Sequence, residues 1–255
     1  MYPRKSILFI LISSLLLITA CSFIGTEPTP PPPTATSLPP TNTPMPPTET
    51  PTPTATPQTA WHDDFQDAFT LDWTWIDENP ARWSLSENPG FLRIYAAPYA
   101  DGGKNVLVLL TPEGDFTAVT HMYFEPVKNF QFAGLTLFLD DENKVNFGRA
   151  YCAPSASCVG NGLYLDHVEG AGMIGSNFAT TVENTNETWL KLERIDVAIT
   201  GSYSPDGVTW TVIGTHILSP LLDGARIGLF ATQDLDKSDD DIPAVFDSFD
   251  LTLLP

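Results

Sequence analysis

From Trp83 onward, apolar and polar residues alternate in short runs broken by Gly, Pro, Asn and Asp. No stretch of about twelve residues keeps a helical period. The alternation predicts strands over Trp83–Ser86, Gly90–Ala96, Asn105–Leu110, Phe116–Phe124, Phe132–Asp140, Lys144–Tyr151, Gly162–Val168, Trp189–Arg194, Val197–Tyr203, Thr209–Gly214, Arg226–Ala231 and Val245–Leu253. Turn chemistry separates several of them. Asp140-Asp141-Glu142-Asn143 joins two strands and Ser204-Pro205-Asp206-Gly207 joins two more, since Gly after Asp tolerates the positive φ of a tight hairpin. Strands this short and closely spaced predict an all-β domain, two antiparallel sheets packed as a jelly-roll sandwich. Phe65, Phe116, Phe124, Trp210 and Phe249 are its expected core aromatics. A one-residue error of phase would swap the two faces of a strand.

The N-terminal segment breaks this pattern. Arg4 and Lys5 precede the twelve residues Ile7 to Ile18, apolar but for two serines, and then Thr19-Ala20-Cys21. Twelve residues are too few to cross a bilayer as a helix and suit the core of an export signal. Small residues before a cysteine resemble the lipobox of bacterial lipoproteins. The resemblance implies that residues 1–20 are a signal peptide and that Cys21 is lipidated as the mature N-terminus. The protein is then expected in the bacterial cell envelope, outside the cytoplasm, touching the membrane through its lipid alone. Thr26 to Thr59 holds 13 of the chain's 24 prolines, interleaved with Thr. Such a sequence buries too little apolar surface to fold, and the fixed φ of proline predicts an extended spacer. At about 3.1 Å per residue it reaches roughly 100 Å. Residues 21–59 therefore read as a lipidated linker and residues 60–255 as the one folded domain.

Cysteine usage fits export. With Cys21 lipidated, the other two of three cysteines, Cys152 and Cys158, flank a small polar loop and are expected to be bridged. Closing so short a loop contributes about 2 kcal/mol. The formal net charge of −19 belongs to the domain, because Arg4 and Lys5 cancel Glu27 and Glu49 outside it. An anionic surface argues against nucleic acid or anionic lipid head groups as partners, and is compatible with neutral glycans and divalent cations.

Five segments occur in a particular order: Asn88-Pro89-Gly90-Phe91-Leu92-Arg93-Ile94, Gly114-Asp115-Phe116-Thr117, Phe132-Ala133-Gly134-Leu135, Leu192-Glu193-Arg194 and Tyr203-Ser204-Pro205-Asp206-Gly207-Val208-Thr209-Trp210. Together they resemble the concanavalin A-like β-sandwich at the C-terminus of family 43 β-xylosidases and its stand-alone relatives. The resemblance runs over most of residues 62–252 and implies a jelly roll of two curved antiparallel sheets. It also implies a module that, in the xylosidases, packs beside a catalytic β-propeller. No propeller sequence accompanies it here, so the catalytic role is not expected to carry over.

The residues themselves agree. Lectin-fold glycosidases present a Glu-x-Asp-x-x-Glu strand, because the chemistry needs two carboxyl groups about 5 Å apart, or further apart for inversion. No such triplet occurs. Glu193 and Asp196 come nearest and fall on opposite faces of a regular strand. His62, His121, His167 and His216 sit in no nucleophile motif or metal-ligand spacing, and Gly-x-Ser-x-Gly is absent. A glycoside hydrolase is therefore ranked behind two other readings, a glycan-binding module and a module that docks a protein partner. Ser204-x-Asp206-Gly207 resembles the Asp-box of sialidases, one residue short, and is read as a turn organised by Asp206 with Trp210 packed below it.

Two acidic features bear on cofactors. Asp234 to Asp241 lacks the Gly and Glu of an EF-hand loop and reads as a solvated loop. Strict alternation from Val245 to Leu253 would bury Asp247, and a buried carboxylate needs a cation or hydrogen-bond donors. Calcium shared with Asp63 or Asp64 is one solution. A bulge that turns Phe246 inward and Asp247 outward is the other. No further cofactor is expected.

For a glycan face the useful residues are aromatics sharing a strand phase with Arg, Asp or Glu. Arg93 and Tyr95 follow Phe91 opposite Leu92 and Ile94. Arg149 and Tyr151 follow Phe147 opposite Gly148 and Ala150, Tyr164 and Asp166 alternate with Leu163 and Leu165, and Glu193 shares a face with Trp189 and Lys191. If these rows belong to one sheet, Arg93, Tyr95, Arg149, Tyr151, Tyr164, Asp166 and Glu193 converge on its concave face. There they offer the stacking and bidentate hydrogen bonding that a cell-wall polysaccharide or other glycan requires.

Overall fold

The computed structural model describes residues 59–98, 105–153, 160–179, 186–233 and 242–255. Cys21, most of the Pro/Thr segment, Cys158 and the acidic run 234–241 lie outside them. The described strands are β1 (Ala60–Asp63), β2 (Thr74–Ile76), β3 (Trp83–Ser84), β4 (Leu92–Pro98), β5 (Val106–Leu109), β6 (Phe116–Tyr123), β7 (Gln131–Asp140), β8 (Asn143–Ala150), β9 (Gly162–Glu169), β10 (Gly172–Ala179), β11 (Glu187–Ile195), β12 (Ala198–Ser204), β13 (Thr211–Ile217), β14 (Arg226–Gln233) and β15 (Ile242–Leu253). The first sheet runs β3-β4-β15-β6-β11-β12-β13, with β1 also paired to β15. The second runs β10-β9-β8-β7-β14-β5-β2. Pairing is antiparallel except where the last two residues of β4 meet Thr232 and Gln233 of β14 in parallel. The fold is the expected two-sheet sandwich of concanavalin A-like type.

Between the sheets lies one apolar core. Leu92 and Ile94 of β4, Phe116 and Met122 of β6, and Phe246, Phe249 and Leu251 of β15 face Leu135, Val145, Phe147 and Leu165 of the second sheet. Each is fully or almost fully buried, and each contributes about 1.5–3 kcal/mol of transfer free energy. Phe65, Phe116, Phe124 and Phe249 are core residues as expected. Trp210 is not. It is half-buried on the outer face of the first sheet, with the Lys191 ammonium 4.6 Å from its ring centre, so cation–π contact replaces core packing. Asp206 does organise its turn. Its Oδ1 accepts from the backbone N–H groups of Thr209 (2.7 Å) and Val208 (2.9 Å) and from Ser204 Oγ (2.8 Å). Those donors, Thr209 first, hold its carboxyl down to about 2.

Strict alternation fails at Asp247. The register of β15 on β6 shifts between Phe246 and Ser248, a bulge that keeps Phe246 and Phe249 both inward. Asp247 then faces outward and its Oδ2 lies 2.6 Å from His121 Nδ1. Asp63 is the buried carboxylate instead, with no solvent exposure. It accepts from Phe65 N (3.0 Å), Thr70 N (2.9 Å), Leu71 N (3.4 Å) and Trp73 Nε1 (2.8 Å). Asp64 is exposed, and among the described residues no group of three or more His, Cys, Asp or Glu is placed to hold a metal.

Those four bonds fold residues 65–73 back onto the sandwich. Phe65 takes a left-handed backbone (φ 52), unfavourable for a bulky residue, and the Asp63 bond to its N–H offsets that strain. The loop thereby delivers Phe65, Phe69 and Trp73 to an aromatic cluster that includes Trp75–Trp83 (4.9 Å between centres) and Trp73–Phe249 (4.9 Å). Asp63→Ala leaves these donors without an acceptor in a buried site. It should cost about 3 kcal/mol or more in denaturant unfolding. A loss within a few tenths of a kcal/mol would show that the cluster holds the loop without it.

Candidate functional site

The outer face of the second sheet carries a groove of about 700 Å³. Its floor can be read from the strand register. Thr136 of β7 lies opposite Asn146 of β8, Asn146 opposite Asp166 of β9, and Asp166 opposite Ser176 of β10. This polar row crosses four neighbouring strands. Thr136 Oγ1 donates to Asn146 Oδ1 (2.8 Å) and Ser176 Oγ to Asp166 Oδ1 (2.5 Å). The adjacent row runs Phe230, Gly134, Gly148, Tyr164 and Phe178, from β14 to β10. Phe132 stands beside it at 5.0 Å and 79° to Phe230. A side chain cannot occupy the middle of that row, because a Cβ on Gly134 or Gly148 would come within 2.2 or 1.9 Å of neighbouring backbone oxygens. The trough is lined by the rings of Phe132, Tyr164 and Phe230 and by the polar row beside them.

Lys144 lies at the groove's edge with its ammonium 3.7 Å from Asp141 Oδ1. Tyr151 and Phe130 line the end near Cys152. Cys152 is disulfide-bonded, while its expected partner Cys158 lies outside the described residues. Desolvation pushes the Asp166 carboxyl above the usual carboxylate range, with the Ser176 hydrogen bond opposing it. Burial, reinforced by the neighbouring Asp166 charge, likewise raises the Tyr164 phenol, whose hydroxyl donates to the Gly160 carbonyl.

The seven predicted ligand residues do not converge. Tyr151, Tyr164 and Asp166 line the groove. Arg149 belongs to the same strand end but points the other way. Val145 and Phe147 are core residues, so Arg149, in phase with them, is buried at 4% exposure. Its guanidinium donates to the Ala150 carbonyl (2.8 Å), the Gly162 carbonyl (3.2 Å), Asn186 Oδ1 (3.1 Å) and Asn161, and burial pushes its pKa down to about 10. It ties three chain segments together and is not a ligand residue. The phase error came from Gly148 and Ala150, whose small size resembles core packing but here clears the groove.

Arg93, Tyr95 and Glu193 are on the first sheet, across the core from the groove. Arg93 Nη1 and Tyr95 Oη both bond Glu87 Oε2, at 3.1 and 2.5 Å. Glu193 faces Thr117, six residues along β11 from Glu187, which meets Tyr123 near the Arg93 end. At about 3.3 Å per residue it stands roughly 20 Å from that cluster. Alternation alone could not assign strands to sheets. The polar row itself was legible in part: Asn146 sits between Val145 and Phe147, and Thr136 between Leu135 and Leu137, each a polar residue in the outward phase.

Two curved antiparallel sheets enclosing one core, with a groove on an outer face, define a lectin-like sandwich. Residues 62–252 match the family described as the beta-xylosidase C-terminal concanavalin A-like domain, and the chain belongs to that family. An Escherichia coli (strain K12) protein provisionally named a beta-xylosidase is 30% identical over 211 residues, covering 74% of this chain and 38% of that protein. The GH43 protein BlXynB from Bacillus licheniformis superposes with a TM-score of 0.64 at 22% identity, over 76% of this chain and 39% of the other. A xylan beta-1,4-xylosidase from Bacillus halodurans C-125 gives 0.62 at 20% identity, over 78% of this chain and 40% of the other. The chain thus spans less than half the length of each relative.

The desolvated Asp166 makes a distinctive prediction. A carboxyl whose folded pKa is raised favours the fold while protonated and loses that contribution as pH rises through its folded pKa. Asp166→Asn should therefore leave stability at neutral pH unchanged or slightly increased. In the unaltered protein, NMR titration should place Asp166 above exposed Asp residues. A titration within the ordinary range would show that the groove is as wet as the surface.

Proposed function

We propose that this chain is a lipid-anchored, non-catalytic binding module of the cell envelope that takes carbohydrate in the groove of the second sheet. The observation that carries this reading is a roomy trough in which aromatic rings flank a row of hydroxyl, amide and carboxylate groups. Such a site is mostly apolar with a few placed polar groups, the composition that suits a sugar's C–H face and its hydroxyl edge. Membership of a family of domains joined to beta-xylosidases supports it. Arg149 supports the site from behind by fixing the β8 end, and Tyr151 offers the half-buried stacking ring.

Tyr151→Ala should weaken oligosaccharide binding by about 1–3 kcal/mol in calorimetry, with the thermal unfolding midpoint little changed. Unaltered affinity in a folded variant would remove the groove as the binding site. The anchor is tested separately. The unaltered protein should partition with membranes and Cys21→Ala should not mature normally, whereas normal processing of that variant at the same site would end the lipoprotein reading.

Docking to a protein partner is the second reading. Its support is the β10 edge strand, where Met173, Ile174 and Phe178 are 59%, 57% and 49% exposed beside the groove.

A further inference from the structure

We infer that the groove selects uncharged glycans, reading two neighbouring hydroxyls through Asn146 and Asp166 and rejecting sugars that carry a carboxylate. The inference rests on the glycan reading of the groove and names its ligand class. Hydrogen-bond accounting leads to it. Asp166 Oδ1 is taken by Ser176, whereas its Oδ2 has no hydrogen-bond partner among the described residues. Asn146 Oδ1 is taken by Thr136, which fixes the amide so that its Nδ2 donors remain free. Neither free atom is sealed from solvent.

Asn146 and Asp166 face each other directly across β8 and β9. Their side chains therefore start about 5 Å apart, presenting one fixed donor and one fixed acceptor side by side. A pair of adjacent sugar hydroxyls, each able to donate and accept, satisfies both at once. Because the row runs across the strands from Thr136 to Ser176, and the ring-walled trough runs parallel to it, a glycan chain would lie across the strands. From Phe230 to Tyr164 spans three strand intervals, roughly 14 Å at about 4.8 Å each. That length suits an oligosaccharide better than a single ring.

Charge sets the selectivity. Among the described residues, the titratable groups lining the groove outside its tyrosines are Asp141, Lys144 and Asp166. Lys144 faces Asp141, so among the described residues Asp166 is the anion left without a cation. Arg226, the other cation in the outward phase here, lies opposite Phe138 on β14 and is not among the lining residues. A uronate bound over the polar row would bring a second carboxylate against a partly dehydrated first, inside a domain already at −19.

Calorimetry on the full chain with three hexasaccharides, of β-1,4-linked glucose, of β-1,4-linked xylose and of galacturonic acid, tests this at neutral pH. At least one neutral chain should bind about tenfold or more tightly than the galacturonide. Asp166→Asn should weaken the neutral ligand by about tenfold and shrink the discrimination. Asn146→Ala should weaken the neutral ligand without improving the galacturonide. Galacturonide binding as tight as neutral, or an unchanged ratio in folded Asp166→Asn, overturns the inference and leaves the glycan reading standing. If no hexasaccharide binds, the glycan reading of the groove falls and the inference falls with it.

Discussion

The second sheet depends on main chain meeting main chain where a side chain would ordinarily stand. At Gly148 a Cβ would lie 1.9 Å from the Ala133 carbonyl oxygen, and at Gly228 it would lie 2.0 Å from that of Leu107. No other residue tolerates those contacts, so β7, β8, β14 and β5 can close up only with glycine there. The cost is a weaker strand interior, since each glycine forfeits a packed side chain and carries extra chain entropy. The core offsets it on the opposite face, where Leu135, Phe147, Leu165 and Leu229 are all fully buried. One face of the second sheet is packed solid so that the other can be left hollow.

Sheets and strands were largely legible in the sequence, because burial on one face writes a period of two into the chain. Where that cause was missing, the pattern misled. β10 went unpredicted because it is an edge strand with little core to face: Met173, Ile174 and Phe178 are exposed, and the alternation has no apolar side to mark. β1 and β2 are too short, at four and three residues, to declare a period. At Asp247 a bulge broke the phase, and nothing local announces a bulge. On β8 the small residues Gly148 and Ala150 imitated an inward row, which sent Arg149 to the wrong side. The site was harder still. Its members come from six strands, and pattern reading names faces without saying which faces share a sheet.

The two outer faces differ in a way that burial alone does not capture. Several polar groups on the first sheet are paired with one another, although Arg93 Nε, His121 Nε2 and Arg194 Nε are buried there without a hydrogen-bond partner among the described residues. Glu87 accepts from both Arg93 and Tyr95, Asp247 holds His121, and His121 stacks on Trp189 at 3.7 Å and 13°. A ligand at those paired groups would have to displace bonds already made. In the groove the pairings Thr136–Asn146 and Ser176–Asp166 use one oxygen of each acceptor residue and leave the remaining amide donors and carboxylate oxygen over. Those pairings orient the leftover groups without exhausting them. Fixed orientation with residual capacity is what separates a recognition surface from a solvated sheet face, because ordering costs are met before the ligand arrives. By that criterion the proposed site is placed on the second sheet, where the free amide and carboxylate atoms of Asn146 and Asp166 lie side by side at the groove.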